Sequence, residues 1–202
     1  MARRPVFLAA AALLVAALTA VALAPWSRTG FPREGSPEVR FVREMTQHHA
    51  QAVDMATRIR DRSRDQTLRA LALDIMLSQQ EQIGQMRGWL TLWGQPWGGP
   101  GMTAEHARMM GMATPAELEQ LSTLPVPEAE RLFLQLMIRH HQGALAMVEP
   151  ALAPGIRPEV QTLARQIQAT QGGEINLMTR LLAARNAQPL PAPPAAGDTH
   201  EH

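Results

Sequence analysis

The chain has no cysteine and no tyrosine, and aromatic residues fill 4% of its 202 positions. Without a thiol there is no disulfide, no thiolate metal ligand, no catalytic cysteine and no lipid-bearing N-terminal cysteine. Lysine is absent too, so the 19 basic residues are all arginine, against 18 acidic ones, for a formal net charge of +1. A near-neutral balance with no basic run gives no electrostatic reason to expect a nucleic-acid partner. The two-residue alternation that marks half-buried strands is missing as well. So are a phosphate-cradling glycine loop, a Ser/His/Asp arrangement and paired catalytic carboxylates, and with them the grounds for a hydrolase or transferase. A protein without enzymatic activity is expected.

What is present begins with a targeting segment. Arg3 and Arg4 precede an almost wholly apolar run from Val6 to Ala24, which as a helix would span about 28 Å, near the ~30 Å of a bilayer's hydrocarbon core. Two readings compete: a membrane anchor, or a signal peptide cleaved after the small-x-small triplet Ala22-Leu23-Ala24, against which Pro25 stands. Both leave the arginines in the cytoplasm and export the rest, either anchored facing the extracytoplasmic space or released as a periplasmic or secreted protein. Residues 26–36 read as a linker.

At 46% hydrophobic residues the remainder can fill one core. Ser36-Pro37 is an N-cap followed by proline and opens a helix running to about Arg60. A second is expected over 66–93, stopped by Gly94 and Pro96. Thr114-Pro115-Ala116-Glu117 is a capping box for a short helix ending near Leu121. Two more are expected over about 127–149 and 158–186. The Pro/Ala-rich residues 187–202 read as a disordered tail.

One pattern occurs twice. M-x-x-H-H-x-x-A-x-x-M runs from Met45 through His48, His49 and Ala52 to Met55, and again, 92 positions on, from Met137 through His140, His141 and Ala144 to Met147. The same offset aligns Leu71, Ile75, Gln79, Ile83 and Met86 with Leu163, Ile167, Gln171, Ile175 and Met178. Each half is therefore a helical hairpin, 37–93 and 127–186, joined by a Met-rich connector over 94–126. The two make an all-α four-helix bundle.

At about 100° per residue, His48 lies with Met45 and Met55 on the apolar stripe, while His49 sits at its flank; His140, Met137, Met147 and His141 repeat the arrangement. Gln79 and Gln171 fall on the facing stripe, with Gln82 and Glu174 beside it. A layer of His, Met, Gln and Glu is thus expected inside the bundle. Imidazole and thioether suit a soft ion such as Cu(I) or Ag(I). The plainer explanation is that methionine fills the core and glutamine satisfies the histidines without any ion. Doubling of the whole pattern favours metal. The connector adds Met102, His106, Met109, Met110 and Met112, read either as a thioether capture site or as an amphipathic flap over the bundle. His200 and His202 carry little weight.

These residues resemble the domain-of-unknown-function 305 family, ferritin-like bundles that include CopM-type periplasmic copper-binding proteins. The resemblance rests on M-T-Q-H-H-A-Q-A at Met45 to Ala52, M-I-R-H-H-Q-G-A at Met137 to Ala144, Q-x-x-E-I-x-x-M at Gln171 to Met178, and M-M-G-M at Met109 to Met112. It implies an exported, often membrane-tethered helical bundle. The first copy departs from the pattern by having Gln82 where glutamate is expected, so at most one half offers a carboxylate, Glu174.

The leading expectation is an extracytoplasmic Cu(I)- or Ag(I)-binding protein for buffering, storage or tolerance. Met45, His48, Met55, Met137, His140 and Met147 are its inner ligands, with His49, His141, Met86, Met178 and Glu174 as alternates or supports. Two other classes stay open: a membrane-tethered structural or interaction bundle whose histidines fix helix register, and a di-metal oxidase, for which Glu-x-x-His motifs are lacking. Self-association into a homo-oligomer stays open too.

Overall fold

The computed structural model describes residues 30–193. The apolar N-terminal run, its cleavage triplet and the tail histidines lie outside the described residues. The chain divides into two units, Met1–Phe31 and Pro32–His202, and the helices described below lie in the second. Among the described residues there are six helices: α1 (Pro37–Arg62), α2 (Gln66–Leu92), α3 (Ala104–Met109), α4 (Pro115–Thr123), α5 (Val126–Ala151) and α6 (Pro158–Ala183). Among the described residues there is no strand, and no helix is long and apolar enough to cross a membrane.

The caps explain where the helices start. Ser36 Oγ accepts from the Val39 N–H, Asp65 does the same for Leu68, and Thr114 and Glu117 form a reciprocal box ahead of α4, each satisfying donors that a helix start leaves free. The C-terminal boundary of the last helix falls earlier than the periodicity suggests. α6 stops at Ala183, and Asn186 adopts a left-handed conformation (φ 53°), a geometry asparagine tolerates better than most residues.

The hairpins are α1 with α2 and α5 with α6, and they meet where α1 packs along α5. Two apolar clusters result, and each draws side chains from all four long helices. One holds Ala52, Met55, Ile75, Phe133, Met137 and Met178. The other holds Phe41, Met45, Met86, Ala144, Met147 and Ile167. In every long helix polar residues lie between the two clusters: His48 and His49, Gln79 and Gln82, His140 and His141, Gln171 and Glu174. The bundle is thus two hydrophobic cores separated by a polar layer.

The connector is fastened across α1 and α5. Arg139 of α5 donates to both oxygens of Glu117 at 3.0 and 2.9 Å, Arg58 reaches Ser122 at 2.8 Å, and Arg62 donates to the Leu121 and Leu124 carbonyls. Beyond α6, Arg185 bridges Asp65 at 2.6 Å and Glu130 at 3.2 Å, tying the turn between α1 and α2 to the second hairpin. Of the residues assigned to a tail, 187–193 are described. Gln135 donates to the Gln188 carbonyl at 2.7 Å, and Ala187 and Leu190 pack on the core.

Candidate functional site

The polar layer is built around two stacked rings. His48 and His140, equivalent positions of the repeat, lie face to face with centroids 3.6 Å apart. All four histidines of the layer are fully buried. His49 and His141, expected at the flank of the stripe, are buried there with the other two. Each turns inward because the adjacent helix of its own hairpin supplies an acceptor: His49 Nε2 meets Gln82 Oε1 at 2.7 Å, and His141 Nε2 meets Glu174 Oε2 at 2.8 Å.

Those partners fix the tautomers. An amide or carboxylate oxygen accepts, so Nε2 of His49 and of His141 carries the proton, and the same holds for His48, whose Nε2 donates to the Met110 carbonyl at 3.0 Å. A neutral ring has one donor and one acceptor nitrogen, which leaves Nδ1 as a bare lone pair in each. All three Nδ1 atoms are buried with no hydrogen-bond partner, and His140 has none at either nitrogen. An orphaned buried polar atom costs ~1–3 kcal/mol. The layer therefore concentrates uncompensated lone pairs where water is excluded.

Burial also keeps His48, His49 and His140 neutral. Desolvation pushes His48 down to about 3 and His49 to about 4, and the hydrogen bonds to Met110 and Gln82 offset it only in part. His140 is held well below its ordinary range by burial, with the neighbouring histidines acting in the same direction. Neutral imidazole is the form that binds metal, so no proton has to leave first.

The structure does not bring all four motif methionines to one point. Met45 and Met147 belong to one core cluster, Met55 and Met137 to the other. The reason is geometric. Ten residues of helix separate the two methionines of each copy by about 15 Å, too far for both to ligate one ion. Antiparallel packing pairs the early methionine of one copy with the late one of the other. What flanks the histidines is a repeat-related set, Met45 and Met86 on one side and Met137 and Met178 on the other. Met45 and Met137 lie one turn from His48 and His140, and the Thr46 hydroxyl lies 3.8 Å from Met86 Sδ, placing that thioether against α1.

In the connector, Met110 and Met112 are buried, and Met102 and Met109 pack on the core that holds Met45, as a flap would. His106 is half-exposed, with Nε2 3.8 Å from the Glu44 carboxylate. Together with Phe41, Met110, Met147 and Val160 these two line a pocket of about 290 Å³.

How the flap is seated was not legible as function. Gly143 of α5 touches it so closely that a Cβ would fall 1.8 Å from the Met110 carbonyl oxygen, the atom that accepts the His48 hydrogen bond. Gly111, with φ +72°, would place a Cβ 2.2 Å from the Arg139 carbonyl. Gln51, the repeat equivalent of Gly143, clamps the Ala113 backbone from the other side, accepting at 2.6 Å and donating at 2.9 Å. The signal available was this mismatch, glutamine in the first copy of the motif against glycine in the second.

Donors for a hard-ion centre are not assembled. Among the described residues no three His, Asp or Glu side chains are grouped so as to hold a metal. The donor types that do occur there, orphaned imidazole nitrogens and buried methionines, are those that suit a soft ion.

Fold and site together define a helical bundle with a buried histidine layer bracketed by methionine. The chain belongs to the DUF305 family, a domain of unknown function, whose model matches residues 38–182. It is similar to a crystallised DUF305 fragment from Deinococcus radiodurans, with 57% identity and a TM-score of 0.71 over 76% of this chain and 99% of that one. A DUF305 protein from Streptomyces coelicolor, described as a candidate secreted protein, shows 41% identity and a TM-score of 0.71 over 77% and 98%. CopM in its Cu(I)-bound form shows 28% identity and a TM-score of 0.62 over 73% and 96%, and CopM has also been solved with Cu(II) and with silver. No curated protein matches the chain.

Proposed function

We propose that this protein binds a soft monovalent cation, Cu(I) or Ag(I), as cargo and buffers or stores it without catalysis. The observation that carries the reading is the set of three buried imidazoles whose Nε2 protons are committed to oxygen acceptors and whose Nδ1 lone pairs meet nothing. That is how metal-binding histidines are oriented by their supporting hydrogen bonds. Met45, Met86, Met137 and Met178 would supply sulfur, which suits such an ion and stays competent where thiols oxidise. Its similarity to CopM, solved with copper and with silver, supports the same reading.

The compartment is part of the proposal. Arg3, Arg4 and the apolar run to Ala24 would export the bundle, by anchor or by cleaved signal, and the Streptomyces relative is consistent with export. One observation favours a purely structural role instead: the His49–Gln82 and His141–Glu174 bonds each join the two helices of a hairpin and would fix their register. Anaerobic titration of the purified protein with Cu(I) against a chromophoric chelator separates the two. Binding tighter than micromolar, lost in His48→Ala/His140→Ala, supports metal carriage. No competition with the chelator would overturn it.

A further inference from the structure

The two halves of the layer are alike in their donors except at one position. Each offers a histidine with a bare Nδ1 (His49, His141) and a methionine pair (Met45 and Met86, Met137 and Met178), all 92 positions apart and all buried. At the acceptor that holds the ring, the first half has the neutral amide of Gln82, 2.7 Å from His49 Nε2, and the second has the carboxylate of Glu174, 2.8 Å from His141 Nε2.

We propose that the halves hold soft cations unequally, with the His141–Glu174 half retaining one ion tightly and the His49–Gln82 half carrying a second, exchangeable one. This rests on the metal-binding reading above. A carboxylate behind a ligating imidazole strengthens the ring as a donor, and exchanging such a partner typically costs 10–100-fold in metal affinity. It also brings a negative charge next to a cation taken out of water. Glu174 is nearly buried, its side chain 13% exposed, so solvent screens that charge poorly. Gln82 gives its half a dipole but no charge, and a cation bound there keeps its full positive charge in a dry environment, which is costly. A carrier with one retained and one labile ion keeps its bundle filled while it exchanges metal with its surroundings.

The test is a stepwise Ag(I) titration, followed by calorimetry and by chelator competition, on the wild-type protein, Glu174→Gln and Gln82→Glu, with far-UV circular dichroism on each. The wild type should take two ions in separate steps. Glu174→Gln should weaken the tight step 10–100-fold and leave the weak one in place, merging the two. Gln82→Glu should tighten the weak step. Two steps that Glu174→Gln leaves apart, or a single ion per chain, would overturn the proposal while leaving the function reading intact. A wild type that binds no silver would overturn both. If Glu174→Gln unfolds, Gln82→Glu decides alone, and an unchanged weak step counts against the proposal.

Discussion

Replacing Gly143 by alanine adds one methyl group and should be among the most damaging small substitutions in the molecule. The new Cβ would fall 1.8 Å from the Met110 carbonyl oxygen and 2.3 Å from its carbon. Neither atom belongs to a flexible side chain, and the flap is pinned nearby by Gln51 and Arg139. Relief requires Met110 to lift, and the His48 Nε2–H then loses its acceptor inside a dry layer. That costs ~1–3 kcal/mol, and lost packing of Met110 brings the total to about 2–4 kcal/mol, against an intrinsic helix-propensity gain of up to ~1 kcal/mol for removing glycine. Gly172→Ala and Gly173→Ala in α6 are internal controls, because a Cβ there meets nothing within 4 Å; they should stabilise by ~0.5–1 kcal/mol. Urea unfolding followed by circular dichroism measures all three. Gly143→Ala equal to or more stable than wild type, alongside stabilised controls, would refute the claim that the flap is seated on the His48 layer.

Acid should unfold the protein earlier than its carboxylates require. His48 (about 3) and His49 (about 4) bind protons less readily folded than unfolded, where the ordinary value is 6.5, so stability is complete above that value and falls as pH drops through 6.5 toward 4. At pH 5 each ring costs about 2 kcal/mol, and an unfolding free energy that is flat from pH 7 to 5 would contradict this. Met45→Leu/Met137→Leu keeps volume and should change stability by less than ~1.5 kcal/mol per site while weakening Cu(I) at least tenfold in chelator competition; unaltered affinity would remove both thioethers from the ligand set. Phe133→Ala, at a fully buried ring, should cost ~3–5 kcal/mol in the same unfolding assay, and a loss under 1 kcal/mol would mean the core there repacks freely.

The helices were legible because their signals are local. Ser36-Pro37 and the Thr114–Glu117 box each resolve within four residues, and the 92-residue offset announced two equivalent hairpins. The layer's composition was legible as well, since Gln79, Gln82, Gln171 and Glu174 follow from helical spacing alone. What the spacing did not reveal was how antiparallel packing sorts the methionines. Periodicity places Met45 and Met55 on one stripe but says nothing of the partner's direction, and it is direction that puts Met147 with Met45 and Met137 with Met55. Nor could an angular projection show that His49 is buried, because what decides it is Gln82 reaching across from α2. The seat of the connector depends on backbone atoms, the Met110 carbonyl above all, and backbone atoms carry no sequence signature.

Metal carriage by this layer requires His48, His49 and His141 to present bare Nδ1 lone pairs to a soft ion. Long-range proton–nitrogen NMR of the histidine rings, before and after one and two equivalents of Ag(I), reads this directly. Nε2–H tautomers are expected in the metal-free protein, with large Nδ1 shifts on silver and the Nε2–H signals kept. Nδ1–H tautomers at the start, or rings that ignore silver, would contradict it.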